Sequence, residues 1–537
     1  MPSRLGGSAS PARTCIASSA SICWQSRRVF AGELARAWRS GSAASATGDC
    51  HREGSAIQQP SRHETRWLVV GFLCISVLVT VGFGPALGAG FAKDDFGWLW
   101  YSRIDELSDL GRVLTTPMGF YRPVTVLVWS FDIARAGSDP MAFAVTNLAL
   151  HLMVVLLFGM VVRRLTGNVS SAIVAMSLAA LSHHYSCTAV LWICGRGALT
   201  AALAATAAVL FWDRWIQSRR RSDYLVALAL LALALGAYEG VAGVPLLLVA
   251  LFFILPRERS EPATIALGGP LAILALYLAV RLAVGAMQPW APTSGYDYTM
   301  TAVIPNLGEY ASRAVLPGAV LSALFLAAAA MAEQFREAGK AMASEAKRLI
   351  PVGAAWFLLG ILPTLAVLRR SDLYVYFGSL GVHLIGGAAL AAGFRALNAI
   401  RPFAAKMTVA ALATFLVLAW PFFAWDRNER LVIPADLATR ALSDLQQLVP
   451  APESGDCFVF ENDREVQPNL YDAFSENLPF ALALAYDRPP WEKAFYATSI
   501  NDNALLSCEG LWRLRYLVTR EGPESRVLEL VSGPRQR

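Results

Sequence analysis

The feature that most constrains this chain is a series of eleven apolar stretches with almost no internal charge. They fall at roughly 67–90, 141–162, 169–186, 188–212, 224–240, 241–256, 264–284, 314–332, 350–367, 374–393 and 407–424. About 20 apolar residues suffice for a helix to cross a bilayer. In hydrocarbon the backbone must satisfy its own polar groups, which a helix does within one segment. The expected fold is therefore an all-α polytopic membrane protein with about 11 transmembrane helices. Composition agrees, because only 16% of residues are charged where soluble proteins carry about a quarter. The 224–256 run supplies two spans only by turning near Glu239-Gly240 and Gly243-Val244-Pro245.

Cationic loops set the orientation of such a chain. Arg62 and Arg66 precede the first stretch, Arg163-Arg164 follow the second and Arg219-Arg220-Arg221 the fourth. Arg257 and Arg259 follow the sixth, Lys340, Lys347 and Arg348 the eighth, and Arg395, Arg401 and Lys406 the tenth. With eleven spans every cluster falls on one side. The N-terminus is then cytoplasmic and the C-terminal tail extracytoplasmic, as in a bacterial inner membrane. The net charge of +6 reflects these loops and is no sign of nucleic-acid binding. Eight scattered cysteines make neither a disulfide scaffold nor a zinc site. No P-loop or dinucleotide fingerprint appears.

The chain divides into three parts. Residues 1–62, rich in Ser, Ala, Gly and Arg, read as a disordered cytoplasmic tail. The same composition fits a targeting segment or sequence upstream of the true start. Residues 63–425 form the transmembrane domain, with a long first outer loop at 92–140. In that loop Pro123 suits the first position of a helix running to Ala134, apolar enough to lie at the membrane surface. Residues 426–537 have ordinary soluble composition and read as a small α+β domain. Cys457–Glu461 is its strand, Asn469–Tyr486 its helix, and Trp512–Val518 with Arg526–Val531 a hairpin about Gly522-Pro523. An oxidising outer compartment allows Cys457 and Cys508 to pair.

With the sides assigned, several ionisable residues gather at the outer ends. They are Asp94-Asp95 after the first span, Tyr121-Arg122-Pro123 in the first loop, His183, His184 and Arg196 around the next turn, and Glu239. Arg281, Arg313 and Arg369-Arg370 lie there too. For Arg281 and Arg313 snorkelling to headgroups is an adequate account, and for Arg369-Arg370 a flanking cation pair is. Asn147 and His151, four apart, read as an interhelical hydrogen-bonding pair. Arg196 and Glu239 border apolar sequence, where an ionisable group is costly and functional by default. A carboxylate serves as general base towards an attacking hydroxyl, and fixed guanidinium groups hold a phosphate and the charge building on it. These residue types fit sugar transfer from a lipid-phosphate donor, although spacing alone does not single it out.

Four stretches carry a resemblance to a known family. They are Asp94-Asp95-Phe96, then Phe120-Tyr121-Arg122-Pro123-Val124 with Asn147 and His151, then His183 with Ala189-Val190-Leu191-Trp192-Ile193-Cys194-Gly195-Arg196, and Glu239 with Pro245. Leu362-Pro363 followed by Arg370, Tyr374 and Tyr376 is a weaker fifth. Over residues 67–425 the chain resembles the GT-C superfamily of integral-membrane glycosyltransferases. Within it the chain looks most like the protein O-mannosyltransferase and aminoarabinose transferase group, and closest to the transmembrane O-mannosyltransferase branch and its bacterial relatives. The resemblance implies an inverting transfer from a polyprenyl-phosphate sugar to an acceptor hydroxyl. It makes Asp94 the base, Asp95 its partner, Arg122 and Arg196 phosphate ligands, and His183 a supporting residue; Tyr121, Glu239 and Arg370 are further substrate-binding candidates. The chain departs from the pattern at His184, Thr188 and Tyr238, where the family has Pro, Glu and Lys, and it lacks the tetratricopeptide repeats. Donor sugar and acceptor (glycan, lipid or protein) stay open. No cofactor is required, although an acidic pair is able to bind a divalent metal. A transporter or flippase would carry its charges near mid-membrane, often in two related halves; an oligosaccharide ligase would place its large outer loop between late spans.

Overall fold

The computed structural model describes residues 62–537 apart from 117–119, 183–184, 257–262, 287–295, 330–334, 454, 462–467, 489, 491–493, 497–507, 518–526 and 534–537. The N-terminal tail expected at 1–62 thus lies outside the described residues but for its last. Every apolar stretch carries a helix. In chain order come α1 (Arg62–Phe83), the first-loop helices α2 (Asp95–Tyr101), α3 (Ser108–Thr115) and α4 (Pro123–Ala136), then α5 (Pro140–Thr166) and α6 (Val169–Ala180). They are followed by α7 (Tyr185–Leu191), α8 (Arg196–Ser218), α9 (Arg221–Ala237), α10 (Val244–Ile254) and α11 (Ala263–Ala283). The last of the body are α12 (Val303–Ala329), α13 (Phe335–Ile361), α14 (Tyr376–Ile400) and α15 (Pro402–Leu448). Among the described residues seven helices, α1, α5, α8, α11, α13, α14 and α15, are long and apolar enough to cross a membrane, while α6 and the segment containing α10 are apolar but shorter. The body is an all-α integral membrane protein.

Local chemistry sets the ends of these helices. Asp139 caps α5 by accepting from the Met141 N–H, Pro140 opens it, and Gly167 closes it in the left-handed region at φ 68°. Cap, proline and glycine each meet a need of a helix end. Packing inside the bundle relies on close backbones, as is usual where lipid supplies no hydrophobic drive between helices. A Cβ on Gly381 of α14 would stand 2.3 Å from the Gly353 carbonyl oxygen of α13.

The two ends of the bundle differ. At one end Arg163 pairs with Glu64, Arg164 with Asp213, and Arg214 with Asp223, while Arg395 donates to Ser170 and Ser171. Most of the clusters expected on one side therefore do share an end. The other end holds the first loop and the C-terminal part of the chain.

The boundary expected at 425/426 falls inside α15, a single 47-residue helix about 70 Å long at 1.5 Å per residue. Hydropathy drops past Trp425, but the helical period does not: Leu437, Ala438, Ala441 and Leu445 remain buried. Beyond α15 lie β1 (Asp456–Glu461), α16 (Leu470–Phe474), α17 (Leu478–Tyr486), β2 (Ala494–Tyr496), β3 (Gly510–Tyr516) and β4 (Leu528–Ser532). Their sheet has the order β2-β1-β3-β4, with β1 parallel to both neighbours and β3 antiparallel to β4. Strand β1 and the antiparallel pairing of β3 with β4 match the sequence expectation, the turn expected at Gly522-Pro523 lies outside the described residues, and Cys457 is bonded to Cys508. The single helix expected over Asn469–Tyr486 is two, because Ser475 takes φ 50° and interrupts it. The domain does not stand apart. Phe96, Trp98 and Trp129 of the first loop share one hydrophobic core with Phe458, Phe474 and Leu482.

Candidate active site

The stretch after α1 turns sharply at Lys93, whose φ of 55° is uncommon for a residue with a side chain and marks a locally strained backbone. Its N–H donates to the Ala473 carbonyl of α16 at 2.7 Å. That turn presents Asp94 and Asp95 at the start of α2, and successive residues there project about 100° apart. They end in different places. Asp94 lines a cavity of about 300 Å³. Asp95 is 2% exposed and faces inward, where its carboxylate accepts from the Ala92 N–H at 2.9 Å and the Cys194 N–H at 2.7 Å. Burial raises the Asp94 pKa above the usual carboxylate value, opposed by the charges of Arg369, Arg122 and Lys93 and by a hydrogen bond from Asn477. Burial also raises the Asp95 pKa, up to about 8, with the neighbouring Asp94 charge acting in the same direction and the Ala92 and Cys194 N–H bonds opposing it.

The cavity is cationic and aromatic. Lys93, Arg122, Arg369, Arg370 and Arg430 line it together with Trp98, Phe120, Tyr238, Tyr296 and Tyr374. Arg122 stands at the start of α4, over the ring of Phe120 at 4.1 Å and that of Tyr238 at 4.6 Å. Glu239 grips it from behind: Nε donates to Oε2 at 2.8 Å, and Nη2 closes a second bond to Oε1. Arg370 is held through Nε by Asn306 at 2.8 Å, and Arg369 lies over Tyr296 at 5.4 Å. Asp372, the other carboxylate of the wall, is paired with Arg313 and accepts from Thr188 at 3.0 Å. Glu239 itself faces a smaller cavity of about 160 Å³ with Tyr277, Arg281 and Tyr298, and Phe120, Tyr296 and Tyr374 line both cavities. Among the described residues no three His, Cys, Asp or Glu side chains converge on a point that would hold a metal ion.

Of the candidates named from sequence, the structure brings Asp94, Arg122 and Arg370 to one cavity and Glu239 to its neighbour. Tyr121 is buried, and its hydroxyl donates to the Leu114 carbonyl at 3.1 Å. Arg196 is fully buried between the rings of Trp129 and Phe143. It pairs with Asp132 at 2.8 Å and donates to Asn147 Oδ1 and the Phe143 carbonyl, so its guanidinium is taken up inside the protein. It is not among the residues that line the cavity. Asn147 and His151 do bridge helices: Asn147 donates to the Trp192 and Ile193 carbonyls, and His151 meets the Tyr376 hydroxyl at 2.7 Å. His183 and His184 lie outside the described residues. Sequence reasoning passed over Asp132, although a lone acid in the apolar α4 signals a buried cation partner. It also passed over Tyr296, Arg430 and Asn477, for which no local signal exists.

Neither a protein-family model nor a curated protein sequence matches the chain. Among solved structures it is similar to the oligosaccharyltransferase AglB from Archaeoglobus fulgidus in complex with an inhibitory peptide and a dolichol-phosphate. Identity there is 12%, the match covers 84% of this chain and 70% of that one, and the TM-score is 0.46. It is also similar to ArnT from Cupriavidus metallidurans bound to undecaprenyl phosphate, at 13% identity over 84% of this chain and 93% of that one, with a TM-score of 0.47.

Proposed function

We propose that the chain is a membrane glycosyltransferase that moves a sugar from a polyprenyl-phosphate donor to an acceptor hydroxyl, with Asp94 as general base. One observation carries the reading: Asp94 shares its cavity with Lys93, Arg122, Arg369, Arg370 and Arg430. A base and an anion-binding set beside an apolar helical bundle suit a substrate with a lipid tail, a phosphate and a sugar.

In the reaction the acceptor hydroxyl gives its proton to the Asp94 carboxylate as its oxygen attacks the anomeric carbon. The bond from that carbon to the phosphate oxygen breaks, its electron pair stays on the phosphate, and configuration inverts. The arginines stabilise the charge that accumulates on the departing lipid phosphate. A bidentate, immobilised guanidinium such as Arg122 is suited to that task because it needs no reorganisation as charge develops. The rings of Trp98, Phe120 and Tyr238 supply flat apolar surface for the sugar. Asp95 acts from behind, where its two backbone N–H contacts fix the start of α2. On this reading the site faces the outer side of the membrane, and the donor branch is that of mannosyltransferase-like enzymes.

The test is direct. Purified protein in lipid nanodiscs is incubated with a panel of labelled polyprenyl-phosphate hexoses and pentoses, and release of the lipid phosphate is measured with and without candidate acceptors. Turnover that disappears in Asp94→Asn supports the reading; turnover unaffected by Asp94→Asn removes the base, and no turnover on any donor removes the activity.

A further inference from the structure

Asp94 is held from outside its own segment. Asn477, the last residue of the turn between α16 and α17, donates through Nδ2 to Asp94 Oδ1 at 3.0 Å. A second feature shows that this approach is built in. The third residue of α2 is Gly97, and a Cβ there would stand 2.6 Å from Asn477 Oδ1, so glycine is what leaves room for the amide. Around this contact the two segments are clamped together: Lys93 N–H on Ala473 O at 2.7 Å, Phe96 against Phe474 at 5.5 Å and Tyr101 against Phe480 at 5.0 Å between ring centroids.

From this geometry we infer that Asn477 is a positioning residue for Asp94, and that the C-terminal segment from Asn469 to Tyr486 completes the site from 383 residues along the chain. The inference deepens the sugar-transfer reading and rests on it for the word base; the positioning itself does not depend on the reaction. By donating to one carboxylate oxygen, Asn477 fixes the plane of the Asp94 carboxylate and leaves the other oxygen for the cavity. It also favours the charged form, as a hydrogen bond to an anion does. The groups that act electrostatically on Asp94 are Lys93 and Asp95 on its own segment, Arg122 on α4, Cys194 on the turn before α8, and Tyr296 and Arg369 across the cavity.

The experiment uses the full-length protein in nanodiscs and three variants: Asn477→Ala, Asn477→Asp and Gly97→Ala. Two pH profiles are recorded for each. One is kcat/KM for lipid-phosphate release; the other is the rate at which a water-soluble carbodiimide and an amine modify Asp94, read by mass spectrometry, which needs no turnover. Asn477→Ala removes a donor from the carboxylate, so the Asp94 titration moves to higher pH by about 1 unit, the size expected for one charge-assisted hydrogen bond. Asn477→Asp moves it further in the same direction, because a second carboxylate opposes ionisation. Gly97→Ala displaces the amide and reproduces the Asn477→Ala shift. Unchanged titration in both Asn477→Ala and Gly97→Ala, with unfolding temperatures near wild type, overturns the proposal. A shift in the modification profile with no turnover on any donor leaves the positioning standing and removes the sugar-transfer reading.

Discussion

Arg122 and Glu239 lie 117 residues apart and meet in a two-point ion pair behind the cavity wall. The pair locks the start of α4 to the break between α9 and α10, and it fixes the plane of a guanidinium that lies over three aromatic rings. Arg122→Lys keeps the charge and loses the fork. We expect donor turnover to fall about 10²-fold or more in both Arg122→Lys and Arg122→Ala, with kcat affected more than KM. Steady-state kinetics at saturating donor separate the two constants.

Asp94 lines the cavity, and among the described residues its carboxylate accepts from the Asn477 side chain, whereas Asp95 accepts from two backbone N–H groups. Asp94→Asn should lower turnover at least 10²-fold, the usual contribution of a general base, while leaving the unfolding temperature within a few degrees of wild type. Asp95→Ala should behave in the opposite way. It strands the buried N–H groups of Ala92 and Cys194 and costs roughly 2–6 kcal/mol at about 1–3 kcal/mol per orphaned group. Thermal unfolding in detergent, run beside the activity assay, distinguishes the two aspartates.

The pH dependence follows from the same site. Only the ionised Asp94 takes a proton, and burial raises its pKa above 3.8. The acid limb of kcat/KM should therefore inflect above pH 3.8 and activity should rise with pH through it. Asp95 predicts a stability effect of definite sign. Its folded-state value, about 8, exceeds the ordinary 3.8, so the unfolded chain releases this proton first. Its contribution to stability is full below about pH 3.8 and is lost as pH rises towards 8. Asp95→Asn should flatten that part of the stability profile, which unfolding measured from pH 4 to 8 will show.

The buried pair of Arg196 and Asp132, both fully enclosed, predicts a third behaviour. Removing Asp132 leaves the Arg196 charge uncompensated inside the protein, at a cost of about 3–5 kcal/mol, whereas removing Arg196 leaves Asp132 paired with Arg135 at 2.7 Å. Asp132→Leu should therefore reduce the yield of folded protein sharply, and Arg196→Met less so. The double variant should recover much of it, because the desolvation penalty goes with both charges. Yield in the membrane fraction and size-exclusion profiles report the result.

Reduction of Cys457–Cys508 opens a loop of 51 residues beside β1. Cys457→Ser with Cys508→Ser should destabilise the C-terminal sheet by about 2–5 kcal/mol. Because that sheet shares a core with the first loop, activity should fall with it; limited proteolysis beside the turnover assay tests the link.

The helices were legible in the sequence because their causes are local. Apolar runs of membrane length, the Asp139 cap, Pro140 and Gly167 each act within a few residues, so composition and order suffice to find them. The family resemblance rests on short motifs in order, and it drew attention to Asp94, Arg122 and Glu239 without saying which way each side chain turns. That depends on partners far along the chain. Arg196 and Arg122 look alike in sequence, each an arginine beside apolar residues. Asp132 and Asn147 take up one inside the protein, while Glu239 leaves the other at a cavity wall. Asp94 and Asp95 are neighbours, yet a difference of about 100° puts one against solvent-accessible space and the other against two backbone N–H groups. The sequence by itself determined the helical membrane body and the stock of ionisable groups at one end. Only the tertiary structure decided which of them point into a common space, because burial and pairing are set by contacts between segments that no local pattern encodes.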